Sequence, residues 1–346
     1  MMEKRFDPET YTTYLAQETW REFGCRAGNA EDLQSWQQAF RPRLREALGI
    51  NNILERGKCD LNPQREEIAE LAECIRELWT IESEPGFRIP FYLLRPPAQE
   101  EPLPLVLAPH GHGAGHLPYI GSWENEEQKK EALKGERDIG LQAVRNGYIA
   151  MVPVLRGYHR MSLSWGKSDP KDVNTDHAQQ NLALLFGRTL IGERCHDLSR
   201  TLDYAATRPE IDSERVVVTG NSGGGTISLF SAANDLRIKI AVPSCYFCTF
   251  EASIGAMKHC PCNFIPGIMR LAEMYDIAGL IAPRPFLAIA GEKDSIFPIA
   301  GVKEAFDKTK QIYSVAQAEE KCQLYIGSEG HRYYKKPVWP FVREWL

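Results

Sequence analysis

The 346-residue sequence lacks any stretch approaching the roughly 20 consecutive apolar residues of a membrane-spanning helix, so no membrane partner is expected. It also lacks a strong excess of either charge: 41 basic residues face 46 acidic ones, a net charge of -5. That balance supplies no basic face for a phosphate backbone, and nucleic acid is not an expected partner either. Internal repeats and low-complexity tracts are absent. Nine cysteines, an odd number, run from Cys25 to Cys322 in a chain large enough to bury its own core, so they are expected to be reduced thiols rather than staples. The opening "MMEKRFDPETYTTYLAQETWREFG" has no apolar signal-peptide core. The expected location is therefore cytoplasmic.

What is present is a change of pattern along the chain. In "NAEDLQSWQQAFRPRLREALGI", Leu33, Trp36, Phe40, Leu44 and Leu48 recur at spacings of three and four, predicting an amphipathic helix capped by Asn29 or Asp32. Residues 1–80 are thus expected to form a helical appendage. "ELWTIESEPGFRIPFYLLRPP" then takes a strand-like period around Pro85-Gly86 and predicts a hairpin leading into a sheet. From residue 103, the apolar runs "LPLVLAPHG", "YIAMVPVLRG", "RVVVTGNSGG", "IKIAVPSC", "PFLAIAGEKD" and "CQLYIGSEGH" alternate with longer amphipathic stretches. This predicts an α/β fold, a mostly parallel sheet flanked by helices, with the catalytic domain over 81–346 and chemistry just beyond the strand ends.

One strand end carries a strong signal. Gly220-Asn221-Ser222-Gly223-Gly224 fits G-x-S-x-G between the apolar run "RVVVTG" and the helix-like "TISLFSAAN", the context in which a tight turn presents a nucleophilic serine. A serine hydroxyl needs a base to remove its proton, and the base needs a carboxylate to orient it. Asp294 after "PFLAIAGEK" and His331 after "CQLYIGSEG" follow in the order serine, acid, histidine. Glu292 is the nearest rival acid but lies too early, at the strand's end. For the oxyanion, the amide of Gly223 and the backbone of His112 in "LPLVLAPHGHGAGH" are the expected donors, with Gly113 as the alternative. His110 is expected to brace that loop. His110, His112 and His116 lack an accompanying acidic ligand pattern, and no metal is assigned to them.

At these residues the sequence resembles the α/β-hydrolase superfamily, in particular the branch of acetyl xylan esterases and dienelactone-hydrolase-like proteins. The resemblance spans roughly residues 80 to 346 and rests on "HGHG", "GNSGGG", "DLSRTLDYAATRPEIDSERVVVTG", "APRPFLAIAGEKDSIFP" and "SEGHRYY". It implies the α/β-hydrolase fold and hydrolysis of carboxylic esters, often acetyl esters on carbohydrate, without a cofactor. Acetyl xylan esterases usually carry tyrosine where His112 stands here.

Residues 156–192, including Trp165, Lys167, Asp172, His177 and Phe186, are expected to form a cap-like insertion. Trp123, Trp165 and Phe186 are the expected substrate-binding aromatics, narrowing the site for short acyl groups. Cys245, Cys248, His259, Cys260 and Cys262 do not match a familiar zinc finger or ribbon and are expected to be buried free thiols near the rim of the site. The overall expectation is a serine hydrolase acting on a small-molecule ester through an acyl-enzyme, with a homo-oligomer left open. A prolyl-oligopeptidase-type peptidase and a catalytically silent binding protein on the same scaffold are the competing readings; the first lacks room for a propeller.

Overall fold

A computed structural model describes residues 7–167, 169 and 173–346. Its centre is a nine-stranded sheet formed by β1 (Gln64–Glu70), β2 (Ile75–Glu84), β3 (Phe87–Arg95), β4 (Leu103–Leu107), β5 (Ile149–Pro153), β6 (Ile211–Asn221), β7 (Ile238–Ser244), β8 (Phe286–Gly291) and β9 (Cys322–Gly327). The spatial order is β1-β2-β3-β5-β4-β6-β7-β8-β9. Strands β1 to β3 form an antiparallel edge joined to β5, and β5-β4-β6-β7-β8-β9 are all parallel. The six parallel strands are the six apolar runs read from the sequence. Alternate residues point to opposite faces of a strand: Leu105, Leu107, Val216 and Val218 enter one hydrophobic cluster, while Val106 and Val217 enter another on the opposite face. Both faces are covered, which is why these strands read as unbroken apolar runs.

The helices are α1 (Pro8–Glu18), α2 (Ala30–Ala47), α3 (Ile50–Leu54), α4 (Glu126–Lys134), α5 (Ile139–Arg145), α6 (Asp176–Leu185), α7 (Leu190–Ala205), α8 (Gly223–Asn234), α9 (Ile268–Leu271), α10 (Met274–Gly279), α11 (Ile299–Val315) and α12 (Lys335–Trp345). Asn29 caps α2 by accepting from the amide of Asp32. This helix buries Leu33, Phe40 and Leu44 in the same cluster as the sheet, with Leu48 just beyond its end. Each fully buried side chain of that size contributes about 2 kcal/mol. Arg41 extends from α2 to the carbonyls of Ala233 (2.9 Å) and Leu280 (3.0 Å), satisfying groups at the C-terminal ends of α8 and α10.

The N-terminal expectation needs correction. Residues 64–80 are not helical: they form β1 and the first part of β2 and extend the sheet. Strand β1, "QREEIAE", lies at the open edge with nearly every residue exposed, so it has no buried face to mark it in the sequence. The segment 156–192 is tied to the body by buried ion pairs. Arg156 donates to Asp197 (2.7 Å) and Glu84 (2.8 Å), and Arg194 is paired with Asp176. Asp172 lies outside the described residues. Among the described residues, no helix is long and apolar enough to cross a membrane.

Candidate active site

Ser222 stands between β6 and α8 with φ 59° and ψ -120°. A non-glycine residue with positive φ carries strain, of order 1–3 kcal/mol, and persists only where its surroundings enforce it. Here the enforcement is visible. The Ser222 amide donates to Ser244 O at the end of β7 (2.8 Å), and the Asn221 amide donates to the Tyr119 hydroxyl (3.2 Å). Ser244 Oγ donates to Asn221 Oδ1 at 3.1 Å. Two glycines of the elbow are set by close approach: a Cβ would fall 2.3 Å from Pro109 O at Gly220 and 2.1 Å from it at Gly224. The turn is therefore pressed against the loop that follows β4, and Gly223 opens α8 directly after the serine.

Asp294 and His331, on the loops after β8 and β9, meet with His331 Nδ1 2.7 Å from Asp294 Oδ2. The Asp294 side chain is fully buried. Its Oδ1 accepts from the amides of Ile296 (2.9 Å) and Phe297 (3.3 Å). Burial opposes its ionisation, but the hydrogen bond and charge of His331, together with those two amides, outweigh it and hold the carboxyl below the usual range. The Phe297 ring stacks on His331 with centroids 5.9 Å apart. Glu292, the rival acid, is exposed. Cys245, expected as a buried free thiol near the rim, is a neighbour of this pair: its sulfur lies within 4.8 Å of the Asp294 and His331 ligand atoms and donates to Arg332 O. Burial raises its pKa to about 12, so it stays a thiol.

The loop after β4 forms the other wall. His110 is buried and fixed as one neutral tautomer, because Nδ1–H donates to Gly111 O (2.9 Å) while Nε2 accepts from the Leu155 amide (3.1 Å). Burial drives its pKa down to about 3. This matches its expected bracing role. His112 lies against the elbow, its ring 3.3 Å from where a Cβ on Gly223 would stand. Its Nε2 forms an ion pair with Asp176 Oδ2 at 3.1 Å and lies 3.3 Å from Cys262 Sγ. Burial opposes a charge on the ring, but Asp176 and Cys260 lift its pKa to about 9.

Ser222, Gly223, His112, Gly113 and His331 line one cleft of about 420 Å³, together with Tyr119, Arg137, Tyr246, Met257, Lys258, Ile296 and Phe297. The three sequence-predicted aromatics are not among its lining residues. Trp165 is 68% and Phe186 67% exposed, with Phe186 beside a separate depression at the end of α6; Trp123 is half-buried off the cleft. Sequence places an aromatic on a loop but does not set its direction. Tyr246, Met257 and Phe297 line the cleft instead. A hydroxyl, a carboxylate-bound imidazole with its second nitrogen available and a helix-opening amide on one cleft can together carry out acyl transfer.

Comparison with known proteins agrees with this architecture. The chain is 24% identical over 286 residues to YtaP of Bacillus subtilis (strain 168), described as a candidate hydrolase, covering 81% of this chain and 91% of that protein. A Bacteroides fragilis NCTC 9343 structure described as a candidate acetyl xylan esterase superposes with a TM-score of 0.79 at 16% identity, over 99% of this chain and 95% of the other. A glucuronoyl esterase from Solibacter usitatus superposes with a TM-score of 0.67 at 14% identity, over 94% and 96%. These likenesses establish the α/β-hydrolase fold. The sequence profile of the Dienelactone hydrolase family matches residues 131–331, more than half of the chain and a span that holds Ser222, Asp294 and His331, so this protein is a hydrolase belonging to the dienelactone hydrolase family.

Proposed function

We propose that the protein is a serine esterase that cleaves short-chain carboxylic esters through an acyl-enzyme. The observation that carries this reading is the strained Ser222 elbow opening onto the same cleft as a His331 held through Nδ1 by buried Asp294. Ser222 Oγ attacks the ester carbonyl while His331 Nε2 takes the hydroxyl proton, and Asp294 stabilises the imidazolium. The amides of Gly223 and His112 receive the developing oxyanion. His331 then returns the proton to the leaving alcohol, and water repeats the sequence to release the acid.

The substrate assignment follows from the cleft walls. Phe297, Tyr246 and Met257 offer a small apolar surface for the acyl group, whereas exposed Arg137 and Lys258 at the rim suit a polar alcohol part such as a sugar. The esterases among the structural relatives favour a carbohydrate ester. Nine cysteines without a disulfide fit a reducing, cytoplasmic setting.

A fluorophosphonate probe tests the chemistry: it should label the wild-type chain and not Ser222→Ala, which should stay folded and lose nearly all turnover. A p-nitrophenyl ester series should give the highest kcat/KM for acetyl or propionyl. A maximum at octanoyl or longer would contradict the small acyl surface, and aminoacyl-amide cleavage in preference to esters would favour a peptidase.

A further inference from the structure

Four side chains from three distant parts of the chain converge behind the loop that carries His112. The ligand atoms of His112, Asp176, Cys260 and Cys262 all lie within 4.8 Å of one another. A ring nitrogen presents one proton or one lone pair, in the ring plane, and can satisfy a single neighbour. His112 Nε2 nevertheless faces Asp176 Oδ2 at 3.1 Å and Cys262 Sγ at 3.3 Å. Asp176 is 2% exposed, and its Oδ2 is a buried oxygen without a hydrogen-bond partner despite that close approach. A single proton on His112 Nε2 cannot serve both this oxygen and the sulfur beside it, whereas one cation joining the four groups would satisfy them all.

We propose that His112 Nε2, Asp176 Oδ2 and the sulfurs of Cys260 and Cys262 bind a zinc ion in a closed, structural site. Two thiolates, an imidazole and a carboxylate form a borderline-soft, four-ligand set suited to tetrahedral zinc. Bond lengths of about 2.0–2.3 Å place tetrahedral ligands roughly 3.3–3.8 Å apart, within a few tenths of an ångström of the two separations around Nε2. The supports behind the ligands are present. Arg194 holds the other Asp176 oxygen and also donates to Arg156 O, and Asn263 Nδ2 donates to Cys262 Sγ at 3.7 Å. Two thiolates and a carboxylate around a divalent ion leave one negative charge, which buried Arg194 offsets. Metal entry forms four coordinate bonds and releases to solvent the protons held by the two sulfurs and by His112 Nε2; nothing is oxidised.

With four protein ligands the ion has no position for substrate. It acts as a brace, joining the His112 loop, the first turn of α6 and the Cys260–Cys262 segment in the wall of the cleft, which His112 and Cys260 line. The site also explains why Cys-Pro-Cys resists reading as a finger or ribbon: its remaining ligands come from far earlier in the chain.

The test uses the full chain, purified without a metal-affinity tag under reducing, zinc-replete conditions. Elemental analysis should find about one zinc per chain. Cobalt exchanged into the wild-type protein should give thiolate-to-cobalt charge transfer and strong visible bands of tetrahedral geometry, a readout that needs no variant to fold. Cys260→Ser and Cys262→Ser should each lower zinc content severalfold, while Cys59→Ser and Ser222→Ala should retain it. Ser222→Ala thus separates this site from the esterase reading, since zinc retention and loss of turnover are independent results. Wild-type protein that takes up neither zinc nor cobalt would overturn the proposal. So would undiminished zinc in the double cysteine variant, or a Cys260–Cys262 disulfide whose reduction still permits no metal uptake.

Discussion

Two histidine–aspartate pairs border the cleft through their histidines, and they differ in which ring nitrogen the carboxylate holds. His331 is bound to Asp294 through Nδ1, which leaves Nε2 for the cleft that Ser222 shares. His112 meets Asp176 through Nε2, and Cys262 stands at the same nitrogen. The first arrangement leaves a nitrogen able to exchange protons with substrate. The second commits the outward nitrogen to the protein. Proximity of a histidine to a carboxylate therefore does not identify a catalytic base; the choice of nitrogen does.

The sharpest way to break the comparison is to remove each partner in turn. His331→Ala should lower kcat on the order of a millionfold on a p-nitrophenyl acetate assay, because His112, the other carboxylate-paired histidine of the cleft, has its Nε2 committed to Asp176 and Cys262. A loss below a hundredfold would show that the base is elsewhere. Asp294→Asn should cost about 10⁴-fold, since the amide still accepts from Ile296 and Phe297 but no longer enforces the tautomer or supports the imidazolium.

Asp176→Asn should show the opposite balance. Arg194 would lose its buried carboxylate, costing roughly 3 kcal/mol in a denaturant titration, while turnover falls far less than in Asp294→Asn. Equal catalytic losses in both variants would erase the distinction between the pairs. The smallest effect concerns His116, on the same loop as His112 but stacked on Tyr92, with centroids 5.3 Å apart, and kept neutral. Burial lowers its pKa from 6.5 to about 2. Below pH 6.5 the unfolded chain takes a proton that the folded chain refuses, so stability falls with pH toward that lower value. Between pH 7 and pH 5 the wild-type protein should lose about 1–2 kcal/mol that His116→Phe does not. Parallel losses in the two proteins would reject the assignment.

Much of this was legible in the sequence for a physical reason. Strands covered on both faces appear as unbroken apolar runs, and the residues after them lie at one edge of the sheet, which made Ser222, Asp294 and His331 readable in order. Strand β1 was hidden because an exposed edge strand has no apolar face. Trp123, Trp165 and Phe186 were misdirected because a loop, a single helical turn and a helix cap are too short to carry a period from which to infer orientation. The meeting of His112 with Asp176 and Cys262 was invisible for a different reason. Each stands in a separate loop or helix start, and only the return of the chain brings them together.

The docking of α2 has a consequence for how this protein can be cut. Arg41 covers the Ala233 carbonyl at the far end of the helix whose first residue follows Ser222, and Phe40 and Leu44 line the layer beneath it. A shortened version beginning near residue 60 would keep every group that lines the cleft and still leave that helix with a bare carbonyl at Ala233 and an uncovered apolar flank. In expression trials such a version should collect in the insoluble fraction. The smallest piece expected to fold is thus set by the support of α8, not by where the cleft residues begin.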